Sequence, residues 1–152
     1  MILHGTLLGY SENDDNQKSC RGRRVFCNNR KKHNNGCGHT FSVWAADKLR
    51  RLRIGAKSLW AFFKLVIGLG NTAQALRAAK LDLSISSAYR IWKRFVNGQS
   101  HIRSALNTRC PPPDMPHARQ PAAQTIAHLE AAFPAETCPI AAFQYQLQIL
   151  FL

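Results

Sequence analysis

Acidic residues are scarce in this 152-residue chain: 8 Asp and Glu stand against 21 Lys and Arg, a formal net charge of +13. A surface kept soluble by charge ordinarily mixes both signs, so a merely solubilising role explains this imbalance poorly. Long apolar runs are also missing. The most apolar stretch, Leu59 to Leu69, is interrupted by Lys64 and falls short of the ~20 residues that span a bilayer. The opening Met1-Ile2-Leu3-His4-Gly5 has no basic segment leading into a long apolar one, so it does not read as a signal peptide. Cysteines number 5, an odd count unevenly spread. With no export signal they read as reduced thiols or metal ligands rather than a disulfide framework, and a cytoplasmic location with no membrane partner is expected.

The positive charge is concentrated. From Lys18 to Arg109 there are 20 basic residues and two acids, Asp47 and Asp82. Such a block repels itself unless it meets a polyanion, and DNA or RNA is the natural partner because basic side chains displace condensed counterions from phosphates. Charge alone does not choose between the two.

Four zones follow along the chain. Residues 1–44 hold short β-like pieces, Thr6 to Tyr10, Arg24 to Cys27 and Thr40 to Trp44, with Ser11 to Ser19 as a loop. Residues 45–106 read as helical: a short basic helix from Ala45 to Leu52, an apolar one from Leu59 to Gly68 capped by Ser58, then Ala73 to Lys80 capped by Asn71 or Thr72, and a last one from Ile85 to Val96 stopped near Asn97-Gly98. Residues 107–120 contain Pro111, Pro112, Pro113 and Pro116, which cannot continue a helix, and read as a linker. Residues 121–152 resume helical character, and the apolar end Ile149-Leu150-Phe151-Leu152 is expected to dock on a core or a partner. The expected fold is mainly α: a helix-turn-helix bundle, a small β segment before it and a short helical tail.

Two helices meeting across a tight turn need a small residue at the crossing, and Ala75, Ala78 and Ala79 are candidates. Leu81, Leu83, Ala88, Ile91 and Trp92 or Phe95 would anchor the turn and the inner face, with Ala88, Ile91 and Phe95 spaced i, i+3, i+7. Ser84 would cap the second helix. Its outer face then carries Ser86, Ser87, Tyr89, Arg90, Lys93 and Arg94, hydroxyls and cations suited to phosphates and base edges. The run from Leu81 to Arg94 resembles the turn and recognition helix of resolvase-, invertase- and transposase-type helix-turn-helix domains. Asp82 stands where those usually have Gly, so a distorted turn is expected. The bland alternative is a helical hairpin with a basic solvated face.

Cys27 and the sequence Cys37-Gly38-His39-Thr40-Phe41 suggest a zinc knuckle: thiolates bind the metal and Gly lets backbone N–H groups curl toward sulfur. This segment resembles the distal half of the zinc ribbons that precede helix-turn-helix domains in insertion-sequence transposases. Nine residues separate the cysteines instead of two, including Arg30, Lys31 and Lys32, which are candidate phosphate contacts. A tetrahedral zinc site needs four ligands. The resemblance implies a first Cys-x-x-Cys ahead of Met1, and hence a chain truncated relative to its family. The rival is a site completed by Cys20 and His39, with His33 and His4 as further candidates. The simplest alternative is free thiols without metal.

A transposase of this kind would also carry a catalytic domain with three acidic metal ligands. Only Asp114, Glu130 and Glu136 follow the helix-turn-helix, so the chain is read as a non-enzyme. The expectation is a nucleoid-associated, transposase-derived module binding double-stranded DNA, with a homodimer or a protein partner left open. The alternatives are a basic zinc-ribbon RNA- or ribosome-binding protein, and an adaptor acting through its apolar tail.

Overall fold

The computed structural model describes residues 1–12, 17–28, 36–114 and 120–152. The chain divides into two units, Met1–Gly55 and Ala56–Leu152. The boundary lies 11 residues beyond the one expected at residue 44, and the expected linker and tail fall within the second unit.

The first unit is an antiparallel sheet in the order β1-β2-β3, made of β1 (Ile2–Tyr10), β2 (Lys18–Phe26) and β3 (Thr40–Trp44). β1 begins before the expected Thr6, and β2 before the expected Arg24. β2 reads KSCRGRRVF and has little β-branched or aromatic content, but it is the central strand. Its backbone groups are paired on both sides, from Ile2 opposite Phe26 to Tyr10 opposite Lys18, and from Gly22 opposite Trp44 to Phe26 opposite Thr40. β1 has register shifts between Leu3 and Gly5 and between Leu7 and Leu8, which explains why its apolar residues do not alternate strictly.

The helix expected from Ala45 to Leu52 does not form; turns and bends occupy this segment. The cause is remote in sequence. Arg21 is buried in the sheet, and its guanidinium donates to the carbonyls of Leu49, at 3.2 Å, and Leu52. Arg51 is left-handed (φ 62°), and a bridge between Lys48 and Gly55 closes the loop. Glu12 Oε2 accepts from the Gly55 N–H at 2.9 Å. Burial lowers the Arg21 pKa, and the Asp47 and Glu12 carboxylates oppose that shift.

The second unit contains α1 (Ala56–Leu69), α2 (Thr72–Ala78), α3 (Ile85–Leu106), α4 (Pro121–Ala132) and α5 (Pro139–Leu147). α2 packs on α1 and α3, α4 on α3, and α5 on α1 and α4. Among the described residues the chain therefore has five helices and a three-stranded sheet. It is a mixed α and β protein rather than a mainly α one.

α3 does not stop at Asn97-Gly98. It runs 22 residues to Leu106, because Ala88, Ile91, Phe95, Gln99, Ile102 and Leu106 form one buried stripe at helical spacing. A mid-helix glycine costs about 1 kcal/mol, while burying Ile102 and Leu106 contributes roughly 1.5–3 kcal/mol each. Gln99 sits in this stripe with its amide donating to the Val96 carbonyl at 3.0 Å and its oxygen accepting from Thr125 Oγ1 at 3.1 Å. His128, fully buried on α4, meets the Cys110 carbonyl at 2.9 Å.

An aromatic cluster closes the core. Phe63 stacks on Phe95 with centroids 4.4 Å apart and meets the edge of Trp92 at 5.6 Å. Phe151 lies 6.1 Å from Phe95 and 5.5 Å from Phe143. Gln144 Oε1 accepts the Phe151 N–H at 3.1 Å, fixing the terminal segment. The apolar end of the chain thus docks on its own core.

Candidate nucleic-acid interface

α2 and α3 are joined by residues 79–84 and are capped as their sequences suggest. Asn71 Oδ1 accepts the Gln74 N–H at 3.0 Å, and Ser84 Oγ accepts the Ser87 N–H at 3.2 Å. Of the three candidate crossing residues only Ala75 is buried; Ala78 is exposed and Ala79 half-buried. Ala88, Ile91 and Phe95 all point into the core, with Leu81, Leu83 and Trp92 half-buried around them.

The turn corrects one expectation. The left-handed residue is Lys80 (φ 51°), not Asp82. Lys80 follows the end of α2 and donates its N–H to the Arg77 carbonyl at 3.1 Å, the arrangement that commonly terminates a helix. Asp82 is the middle residue of a tighter turn in which the Leu83 N–H donates to the Leu81 carbonyl at 2.9 Å. Such a turn asks for no glycine at Asp82, because its common form keeps φ negative.

The outer face of α3 presents Ser86, Tyr89, Arg90, Lys93 and Arg94 to solvent. Tyr89 is 49% exposed. Arg90 lies along the helix with its Nε donating to the Ser86 carbonyl at 3.4 Å. Ser87 differs from its neighbours. It is half-buried, and its hydroxyl accepts from Ser84 Oγ at 2.9 Å, so it belongs to the cap. Ile85, absent from the sequence-derived set, is exposed one turn before Tyr89. An exposed isoleucine at the start of a polar helix face was the signal that could have found it. Arg77 and Lys80 are exposed beside the turn, and the first turn of α3 contains no acid. This end of the helix therefore combines free N–H groups, a positive dipole end and cations.

In the first unit the structure brings Cys27 and Cys37 together. The Cys37 N–H donates to Cys27 Sγ at 3.3 Å, the Gly38 N–H to the Cys27 carbonyl at 3.0 Å, and the Cys27 N–H to the His39 carbonyl at 2.9 Å. Gly38 is left-handed (φ 73°). A Cβ on Gly36 would lie 2.1 Å from the Asn28 carbonyl oxygen, so the two ends of the intervening loop are pinched together and glycine is required there. The Cys37 backbone N–H and then its side chain hold the Cys27 thiol below the ordinary cysteine range. Arg30, Lys31, Lys32 and His33 lie outside the described residues.

Cys20 is not brought to this pair. It sits mid-strand opposite Leu8, while Cys27 follows the end of β2. Seven residues of strand separate them by about 20 Å, whereas two sulfurs on one zinc are at most about 4.6 Å apart. Among the described residues no third Cys, His, Asp or Glu joins Cys27 and Cys37, and this includes His39 and His4. The two thiols fit half of a tetrahedral zinc site and do not complete one.

Among the described residues no helix is long and apolar enough to cross a membrane. Comparison with protein-family models, curated proteins and solved structures found no match to this chain.

Proposed function

We propose that this protein binds double-stranded DNA, with the first half of α3 lying in the major groove. The observation that carries the reading is the two-sided character of Ile85–Leu106: Ala88, Ile91 and Phe95 are fixed in the core, while Ser86, Tyr89, Arg90, Lys93 and Arg94 stand outward on the capped end. In helix-turn-helix proteins it is the N-terminal residues of the second helix that reach base edges. Arg90 is the candidate for a guanine edge, Ile85 for a thymine methyl, and Lys93, Arg94, Arg77 and Lys80 for phosphates. Duplex DNA fits this arrangement better than A-form RNA, whose major groove is too deep and narrow for a helix to enter.

On this reading the chain is a binding module of transposase-like type and not an enzyme. The Cys27–Cys37 turn is a zinc knuckle that shapes the basic sheet beside it. An adaptor role for the tail has less support, because Phe143 and Phe151 are already buried in the chain's own core. The test is competition against a labelled random-sequence duplex. Unlabelled duplex DNA is expected to displace the protein at least tenfold more effectively than double- or single-stranded RNA of equal length. Equal or better displacement by RNA would transfer the assignment to RNA binding.

A further inference from the structure

We propose that Cys27 and Cys37 hold zinc together with the same two cysteines of a second copy of this chain, forming one four-thiolate site across a two-fold axis. The proposal rests on the zinc reading of this turn and names what completes it. The turn brings the two cysteines together, with the Cys37 backbone N–H donating to Cys27 Sγ at 3.3 Å and a left-handed glycine after Cys37. A closed structural zinc site takes four ligands. Cys20 is too far along β2 to contribute, and no third ligand stands beside the pair among the described residues. A two-fold contact doubles whatever patch it uses, so two thiolates become four without any further residue type.

The surface around the thiols suits such a contact. Cys27 and Cys37 lie at the end of the sheet where Leu3, Val25 and Phe41 form one row across the three strands and Ile2 pairs with Phe26 in the next. Leu3 is 60% exposed, Ile2 49% and Phe41 47%. Leu3 and Phe41, in one row and so on one face of the sheet, would be covered when a second copy docks on that face, and would then shield the metal from water.

Charge decides how this association behaves. Each copy is strongly basic, so two copies repel one another until salt screens them. Dimer formation is therefore metal-dependent and is strengthened by salt, the opposite of what phosphate contacts do to DNA affinity.

The experiment uses the full chain, reduced and stripped with EDTA, and titrated with zinc chloride or cobalt chloride while its mass is followed by sedimentation equilibrium. The expected result is one metal per two chains, a cobalt absorption spectrum typical of four sulfur ligands, and a doubling of mass that EDTA reverses. Cys27→Ser and Cys37→Ser should each abolish the doubling with unchanged helix content. Phe41→Ser should weaken it at least tenfold while leaving both thiols in place. One zinc per monomeric chain would overturn the shared site and leave the zinc reading standing. No zinc bound at all would overturn both.

Discussion

Phe151→Ala tests whether the end of the chain belongs to the domain that carries α3. Phe151 is 2% exposed, with its ring 5.5 Å from Phe143, 6.1 Å from Phe95 and 6.5 Å from Phe63. Truncating a buried Phe to Ala typically costs about 3–5 kcal/mol. Phe151 lies in a segment outside the helices, which relaxes more freely than mid-helix, and this points to the lower figure, about 3 kcal/mol. For a unit of roughly 100 residues, each kcal/mol shifts the melting midpoint by about 4–8 °C. The expected drop is about 15 °C, read by circular dichroism or calorimetry, and confined to the transition of the second unit. Tyr145→Ala is the control, since Tyr145 is exposed on α5 and surface substitutions usually stay within about 0.5 kcal/mol. A drop below about 3 °C for Phe151→Ala, or equal drops for both variants, would refute the packing argument.

Other expectations follow from the turn and from Arg21. Lys80→Gly should stabilise the protein by up to about 1 kcal/mol, because glycine removes the penalty of a left-handed side chain. Asp82→Gly should bring no gain. Thermal melts of the two variants decide this, and stabilisation by Asp82→Gly alone would place the strained residue wrongly. Arg21→Met should free the Leu49 and Leu52 carbonyls from their shared donor and destabilise the first unit by about 2–3 kcal/mol. Limited trypsin digestion should then cut faster after Arg50, Arg51 and Arg53 while the second unit's melting is unchanged. An unchanged digestion rate would contradict the role given to Arg21.

What could be read in the sequence was local. Asn71 and Ser84 are recognisable caps because each side chain serves an N–H three residues away. The stripe Ala88, Ile91, Phe95 announces an inner face, and with it the outer face of Arg90 and Lys93. What could not be read depended on distant partners. The basic run 45–52 has ordinary helix propensity, yet Arg21, 28 residues before Leu49, takes carbonyls that a helix would use internally. Gly98 looks like a helix stop until Ile102 and Leu106 are seen to be fully buried. β2 hides its strand character because pairing on both edges replaces an apolar pattern. In the candidate interface, Ser87 proved to be committed to the cap, and the left-handed residue of the turn proved to be Lys80, two positions before the one the resemblance suggested.

The central claim is that the outward face at the start of α3 reads duplex DNA, beyond the attraction of a basic surface. Arg90→Ala tests it most directly, measured by fluorescence anisotropy on a duplex selected from a random pool and on an unrelated duplex at the same salt. Lys57→Ala, which removes one exposed cation from α1, serves as the control for charge alone. Arg90→Ala is expected to weaken binding to the selected duplex by about 1–3 kcal/mol, roughly 5- to 150-fold, to narrow the gap between the two duplexes, and to change the unrelated one little. Equal losses on both duplexes, matched by Lys57→Ala, would overturn base reading by α3.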